Sequence, residues 1–198
     1  DCFKGANTAD SYNKFTLFNG YCPKKGCDPS IINNLGSTPT YTPIMRYAEV
    51  LLSYLEALNE SQPSTIDQNI LDLTINDIRN RVKLTDIKKA DVPTQELVRE
   101  AIRKERRVEL AFEGLRYYDV LRWEIAEKEL NHTFTGVKLS DDPNARNYRG
   151  SGTAASPVDE NMYYQFEKRT WSSHNRYFPI PQNDLNVNKN LKQNTGYN

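Results

Sequence analysis

Between residues 42 and 130 the sequence repeats apolar residues at intervals of three and four. This spacing is typical of amphipathic α-helices, which turn by about 100° per residue. It predicts four helices, and the short connections between the members of each pair predict two helical hairpins. The pattern therefore indicates a mainly α fold.

Residues that commonly cap helices mark the ends of the first two predicted helices. Thr42 is a suitable N-cap and Pro43 is favoured at the first helical position. This helix is expected to end before Pro63. Ser64 and Asp67 resemble a capping box at the start of the second helix. The positions on one face of the second helix are spaced by four: Ile66, Ile70, Thr74, Ile78 and Val82.

The third and fourth predicted helices lie close together in the sequence. The third begins at Thr94 and is expected to end at Gly114, because glycine tolerates the left-handed conformation at a helix end. The fourth is predicted from Leu115 to Leu130. Together with the first pair, these helices fill residues 42–130.

Two carboxylates interrupt the apolar face of the third helix. On a helical projection, Glu105 and Glu109 fall on the same stripe as Val98, Ile102 and Phe112. A buried charge is costly unless it is paired, and arginine can pair with a carboxylate through two hydrogen bonds. We therefore predict a structural ion-pair network in this segment. Its predicted members are Glu105, Glu109, Arg106, Arg116 and Arg122.

A catalytic role for the same pair is the alternative. Retaining glycoside hydrolases use two carboxylates about 5 Å apart, and adjacent helical turns bring Glu105 and Glu109 that close. Because arginines lie within helical reach or one helix away, we favour the structural interpretation. No other residues suggest a nucleophile, a histidine dyad or a metal cluster. The sequence therefore predicts neither catalysis nor a cofactor.

The two ends of the chain lack the helical pattern. Residues 1–41 are polar, with a hairpin-turn signal at Asn19–Gly20. Residues 131–198 are rich in loop-forming residues, and the alternation over Met162–Phe166 predicts one strand. These regions predict long irregular loops and a few short strands.

Charge and cysteine content narrow the classes of function. The sequence has 26 basic and 26 acidic residues, and this balance argues against a nucleic-acid partner. No apolar run is long enough to span a bilayer. Cys22 and Cys27 flank a turn and form either a small disulfide loop or two free thiols. Neither of the two histidines lies near them in the sequence, which argues against a zinc site.

Residues 102–123 carry a resemblance to a known family. They include IRKERRVELAFEG, RYYD and RW, which resemble the C-terminal signature of the SusD/RagB family of surface nutrient-binding lipoproteins. The block RYAEVLL at residues 46–52 resembles the preceding helix of that family. The block FPIP at residues 178–181 resembles its C-terminal end. The three blocks occur in family order.

This resemblance implies an architecture and a location. Residues 1–198 would be the C-terminal portion of a SusD-like domain, with tetratricopeptide-like helical hairpins and an N-terminal remainder outside this sequence. The protein would be exposed on the cell surface and tethered to the outer membrane by a lipid anchor, also outside this sequence. It would deliver its ligand to a SusC-like TonB-dependent transporter.

The resemblance also implies a ligand class, namely glycans, or peptides in RagB-like members. A structural helical-repeat scaffold that binds another protein is a further alternative. Sugar rings stack on aromatic side chains, so we expect ligand contacts from the loop-rich residues 131–176. The candidate ligand-binding residues are Tyr148, Tyr163, Tyr164 and Trp171. The alternative is that these rings pack the loops against the helices.

Overall fold

The computed structural model describes residues 25, 43–138, 159–161 and 163–197. These residues form two compact units. The helical unit holds the described residues up to Asp119, and the second unit holds those from Val120 onwards. The helices are α1 (Tyr47–Ser61), α2 (Gln68–Leu71), α3 (Asp77–Arg81), α4 (Gln95–Glu109), α5 (Arg116–Arg122), α6 (Ala126–Leu130) and α7 (Gln182–Val187). The strands are β1 (Thr133–Lys138) and β2 (Tyr163–Lys168). The predicted mainly α fold is confirmed.

The core of the helical unit forms where α1 packs against α4 and against a π-helical turn, Asp72–Asn76, that joins α2 to α3. Apolar side chains spaced by three and four residues supply it, as the sequence pattern predicts. The buried core residues are Leu51, Leu52, Leu55, Ile66, Leu71, Ile75, Ile78, Val92, Val98 and Ile102.

The first helix begins later than predicted. Pro43 is not helical, Ile44 is fully exposed, and α1 starts at Tyr47 after an extended Arg46. The Arg46 side chain is held by Glu109 and Glu113 near the end of α4. A long-range ion pair therefore sets the start of α1 and overrides the local proline signal. Thr42 lies outside the described residues.

The start of the second helix was also misplaced. Ser64 lies in a 3₁₀ turn, Pro63–Thr65, and Asp67 is itself the N-cap. Its carboxylate accepts a hydrogen bond from the Ile70 backbone N–H at 2.9 Å. The predicted capping box is thus replaced by a single aspartate cap three residues further along.

A π-helical turn interrupts the second predicted helix. Inside it, the Thr74 hydroxyl donates to the Ile70 carbonyl at 2.5 Å. The buried Asn76 amide donates to the Ile87 carbonyl at 3.0 Å and accepts from the Ile87 N–H at 2.8 Å. Asn76 therefore pairs the backbone N–H and C=O of Ile87, which lies in a connecting segment without regular secondary structure.

The third helix ends five residues before Gly114. Its N-cap is Thr94, the residue at which the sequence predicted the helix to begin, and its last residue is Glu109. Phe112, predicted on the buried stripe, is exposed and has a left-handed backbone with φ 66°. Gly114 also has positive φ, 79°, but in the turn beyond the helix.

The fourth predicted helix is broken into α5 and α6. Glu124 takes φ 58° between them. The Ile125 N–H donates to the Val120 carbonyl, and the Glu124 N–H donates to the Leu121 carbonyl. These two bonds are those of a Schellman motif, which ends a helix in a left-handed residue. A glutamate holds this position in place of the usual glycine, so the break left no sequence signal.

The second unit contains a two-stranded antiparallel sheet. Thr133 pairs with Lys168, Phe134 with Glu167, Thr135 with Gln165 and Lys138 with Tyr163, and the register shifts twice. The predicted strand therefore exists as β2, although Met162 lies outside the described residues. Its partner β1 was not predicted. The Asn19–Gly20 turn and both Cys22 and Cys27 also lie outside the described residues.

Candidate functional site

The two glutamates of the signature helix lie where the sequence places them, on the inner side of α4. Glu105 is buried, and Arg79 of α3 donates to its carboxylate at 2.7 Å. Glu109 accepts from Arg46 at 2.7 Å, and Arg81 Nη2 lies 2.8 Å from both of its oxygens. Both carboxylates therefore pair with arginines that lie outside the signature segment.

A third carboxylate, Glu113, extends this cluster. Arg46 Nε donates to both Glu113 oxygens at 3.0 Å, and Lys25 also pairs with it. Burial opposes ionisation of Glu113, but the hydrogen bonds from Arg46 and Lys25 prevail and lower its pKa. The hydrogen bond to Glu113 in turn raises the pKa of Arg46.

The same cations cap the C-terminal end of α4. Lys25 Nζ donates to the carbonyls of Glu109 at 2.6 Å and Ala111 at 3.0 Å, and Arg46 Nη2 donates to the Glu109 carbonyl at 2.8 Å. Carbonyls at a helix end lack intrahelical partners and carry partial negative charge. Two positive side chains thus satisfy groups that the end of the helix leaves open.

A separate ion pair joins α4 to α5. Arg106 Nε donates to Asp119 Oδ2 at 2.9 Å and Arg106 Nη2 donates to Oδ1 at 3.1 Å, with both side chains buried. Arg106 Nη1 also donates to the Ser53 hydroxyl of α1 at 3.1 Å. The guanidinium therefore ties three helices together through a bidentate fork.

Both predicted glutamates pair with arginines, but the partners that the structure shows differ from the predicted ones. Arg106 belongs to the Asp119 fork, whereas the contacts described for Glu105 and Glu109 come from Arg46, Arg79 and Arg81. Arg116 and Arg122 are the first and last residues of α5. The guanidinium of Arg122 lies 4.8 Å from the centre of the Trp123 ring. Contacts across the fold selected arginines that helical spacing alone did not single out.

This arrangement suits packing. The carboxylates of Glu105, Glu109 and Glu113 each accept hydrogen bonds from cations on other segments. Within the described ranges no group of three or more His, Cys, Asp or Glu residues could hold a metal ion. No described helix is both long and apolar enough to cross a membrane.

The four predicted ligand-binding rings differ in exposure and in whether the structure describes them. Tyr163 lies on β2 and is 38% exposed. Tyr164 follows it on the strand, but its side chain lies outside the described part of the molecule, as does all of Tyr148. Of the four candidates, Tyr163 is the ring that the structure shows open to solvent.

The backbone of Trp171 is bound by the side chain of Asn131. The Asn131 side chain donates to the Trp171 carbonyl at 2.9 Å and accepts from the Trp171 N–H at 2.5 Å. The ring is half-buried, and the indole Nε1 is buried without a partner among the described residues. Asn131, two residues before β1, thereby ties the segment after β2 to the start of the sheet.

Polar side chains surround the two strands. Arg169 donates to both oxygens of Glu167, at 2.7 and 2.9 Å, and its guanidinium lies 4.4 Å from the centre of the Phe134 ring. The Glu167 hydrogen bond raises the pKa of Arg169, and Arg169 lowers the pKa of Glu167. The His132 ring packs against the Phe134 ring, with the two centroids 4.1 Å apart.

Sequence reasoning missed two exposed rings, Tyr177 and Phe178, at the start of the FPIP block. The Asn194 side chain donates to the Phe178 carbonyl at 2.7 Å. Gln193 bonds both backbone groups of Ile180, at 2.8 and 2.9 Å. The signal was present, because prolines hold this segment extended and its backbone groups then require side-chain partners.

Comparison with known proteins shows that the sequence is similar to that of the SusD family. The model of the SusD family matches residues 1–197. A SusD-like protein of Formosa agariphila is 34% identical over 117 residues, which are 57% of this chain and 22% of that protein.

Solved structures of SusD-like proteins are also similar to this chain. A SusD-like carbohydrate-binding protein from Bacteroides fragilis is 38% identical with a TM-score of 0.69, covering 81% of this chain and 30% of that one. A second SusD-like protein from Bacteroides fragilis is 32% identical with a TM-score of 0.56, covering 78% of this chain and 25% of that one. The chain spans less than a third of the length of these relatives.

Proposed function

We propose that this chain, which belongs to the SusD family, is part of a protein that binds carbohydrate. The observation that carries the proposal is the similarity to the SusD-like carbohydrate-binding protein, at 38% identity and a TM-score of 0.69 over 81% of the chain. Because the chain spans 30% of that relative, the proposal concerns the longer protein to which these residues contribute.

The proposal extends to location and partner. Following the resemblance in the signature segment, the protein is lipid-anchored in the outer membrane, faces the outside of the cell and passes its ligand to a SusC-like TonB-dependent transporter. It acts by binding and does not turn its ligand over. The engagement of Glu105 and Glu109 by arginines supports this role over glycoside hydrolysis.

Ligand contacts from this part of the protein come from the loop-rich residues 131–176. Tyr163 offers a solvent-exposed ring on which a sugar can stack, while Asn and Arg side chains nearby in the sequence can bond hydroxyl groups. Tyr148 and Tyr164 remain proposed contacts of the same kind. Trp171 is a weaker candidate, because its half-buried ring and the Asn131 bonds favour a role in shaping the loop.

An array of glycans and peptides tests this function with the full-length protein. We expect binding to one class of glycan and no release of reducing sugar from it. Binding to peptides alone would replace the glycan by a peptide ligand. Binding to neither, together with co-purification of another protein, would support the scaffold alternative and overturn the proposal.

A further inference from the structure

Four side chains meet on one face of the two-stranded sheet. Phe134 and Glu167 are directly paired across the strands, so their side chains share a face. Arg169 reaches the same face, since its guanidinium contacts both of these residues. The His132 ring packs against the Phe134 ring. These four residues form the sheet cluster.

The ion pair of the sheet cluster is exposed but held in place. The Glu167 side chain is 42% exposed and that of Arg169 is 50% exposed. Exposed pairs of long side chains usually contribute little, because ordering the two side chains offsets their attraction. Here Arg169 is held by the bidentate contact with Glu167, by the Phe134 ring beneath its guanidinium, and by a backbone hydrogen bond to the His132 carbonyl at 3.3 Å. A polar pair that is already ordered loses little further conformational freedom when it binds a ligand.

Both partners of the pair can make more hydrogen bonds than they make with each other. Arg169 donates to Glu167 through Nε and Nη2, which leaves the N–H groups of Nη1 for another acceptor. Among the described residues the structure shows no acceptor for them. Each Glu167 oxygen accepts from Arg169 and can accept again, because a carboxylate oxygen has more than one lone pair. The pair therefore offers donors and acceptors side by side.

This combination matches the hydroxyl groups of a sugar. A hydroxyl both donates and accepts, so two neighbouring hydroxyls can bond the carboxylate and the guanidinium at once. A sulfate or carboxylate group only accepts hydrogen bonds, and Glu167 would repel it. The exposed His132 ring, which contacts the same Phe134, offers a flat apolar surface to the C–H side of a sugar ring.

We propose that the sheet cluster is a sugar subsite that recognises two neighbouring hydroxyl groups of an uncharged sugar and selects against acidic sugars. Glu167 accepts from the hydroxyls and Arg169 donates to them. Phe134 is a positioning residue, because it holds the guanidinium in place. The inference rests on the proposed carbohydrate-binding function and adds to it the class of sugar and the residues that select it.

Calorimetric titration of the full-length protein tests the subsite. The probes are neutral hexasaccharides of glucose, galactose, mannose and xylose, acidic hexasaccharides of galacturonic and mannuronic acid, and any glycan that the array identifies. We expect the unsubstituted protein to bind a neutral probe more tightly than any acidic one. Arg169→Gln should weaken that binding about tenfold or more, as expected for the loss of a charge-assisted hydrogen bond. Glu167→Gln should narrow the difference between neutral and acidic probes, because it removes the repulsion of acidic groups.

Another exposed ion pair of the same unit provides matched controls. Arg176 donates to Glu124 at 2.9 Å, and the two side chains are 44% and 70% exposed. Arg176→Gln and Glu124→Gln should leave the affinity for every probe unchanged. All of these single variants should melt close to the unsubstituted protein, because an exposed pair contributes little to stability.

Failure of the subsite is distinguishable from failure of the proposed function. If the unsubstituted protein binds no glycan at all, the proposed function is wrong and the subsite with it. If it binds a neutral probe, and Arg169→Gln and Glu167→Gln bind that probe equally well, the subsite alone is wrong. Tighter binding of an acidic probe by the unsubstituted protein would also contradict the subsite. So would a fall in the melting points of these two variants that accounts for their weaker binding.

Discussion

At the level of single residues, the fork between Arg106 and Asp119 is a buried ion pair whose two charges compensate each other. Both side chains are about 95% buried, and the guanidinium contacts both carboxylate oxygens and the Ser53 hydroxyl. Removing one partner leaves the other charged and buried without compensation. The signature residues of the segment thus have a structural reason that involves no ligand.

Replacing Asp119 by Ala should lower the free energy of unfolding by about 3–5 kcal/mol, because Arg106 would remain buried without its counter-charge. Denaturant unfolding of the full-length protein measures the loss. The double variant Arg106→Met with Asp119→Leu should recover much of it, since it removes both charges. A loss of less than about 1 kcal/mol for Asp119→Ala, the range of an exposed pair, would contradict the account.

Glu109→Ala provides a comparison for that variant. The Glu109 side chain is 10% exposed and has two arginine partners. When the carboxylate is lost, Arg81, which is 58% exposed, can be solvated, and Arg46 keeps its pair with Glu113. We therefore expect a smaller loss of stability for Glu109→Ala than for Asp119→Ala. The reverse order would show that the cluster at the end of α4 matters more than the fork.

Glu113 should make stability depend on pH. Its pKa in the folded protein lies below the ordinary value of 4.5, so the unfolded chain binds the proton more readily. Its contribution is present above pH 4.5 and is lost as the pH falls through the lowered pKa. Thermal melts from neutral pH downwards should therefore show a smaller decline for Glu113→Gln than for the unsubstituted protein.

Glu167→Gln is the matched control for this titration. Glu167 also pairs with an arginine, but its side chain is 42% exposed and solvent screens the pair. Its replacement should change the pH dependence less than Glu113→Gln does. Parallel pH profiles for Glu113→Gln and the unsubstituted protein would show that the Arg46 and Lys25 contacts contribute nothing.

Helix caps decide where the elements of this fold begin. The Asp67 carboxylate accepts from the Ile70 N–H, so Asp67→Ala should cost about 1 kcal/mol. Ser64→Ala, at the position that the sequence pattern favoured, should change stability by less than about 0.5 kcal/mol, as at an ordinary surface position. Denaturant unfolding of the two variants distinguishes them. Equal losses would restore the capping box that the structure replaces.

Two glycines with left-handed backbones offer a test of the turns. Gly114 has φ 79° with open space around an added Cβ, whereas Gly196 has φ 92° and its added Cβ would lie 2.5 Å from Cβ of His174. Both Gly→Ala variants should lose about 1–2 kcal/mol of folding stability, because alanine is strained in the left-handed conformation. Gly196→Ala must also displace the His174 ring, which packs edge-to-face on Tyr197. Its thermal melting point should therefore fall further, and an equal fall would contradict the close approach.

Sequence reasoning succeeded for elements whose signals are local. Apolar spacing correctly placed Val98, Ile102 and Glu105 on the inner face of α4, and the helix begins next to Thr94, where the sequence predicted its start. It failed where the cause lies elsewhere in the chain. Lys83 and Glu124 end helices in left-handed conformations through Schellman bonds, without the glycine that would announce them. Strand β1 depends on pairing with a partner about thirty residues away, which a short alternating stretch does not reveal.

At the level of the whole molecule, family membership rests on sequence motifs that the structure uses for packing. Arg106, Glu109, Glu113 and Asp119 of the signature hold helices together, so their presence predicts the fold better than it predicts a ligand. The residues proposed to contact ligand lie in the loop-rich part of the chain instead. Their positions depend on loop conformation and on the longer protein, and neither can be inferred from helical periodicity.

Calorimetric titration of the full-length protein with a glycan that it binds tests the central claim most directly. Tyr163→Ala should weaken binding several-fold or more, because an exposed stacking ring contributes on the order of 1 kcal/mol, while the melting point stays close to that of the unsubstituted protein. Tyr118→Ala, an exposed tyrosine on α5, is the matched control and should leave affinity unchanged. Undiminished affinity for Tyr163→Ala with a lower melting point would show that the ring is structural and would contradict the claim that these loops bind the glycan.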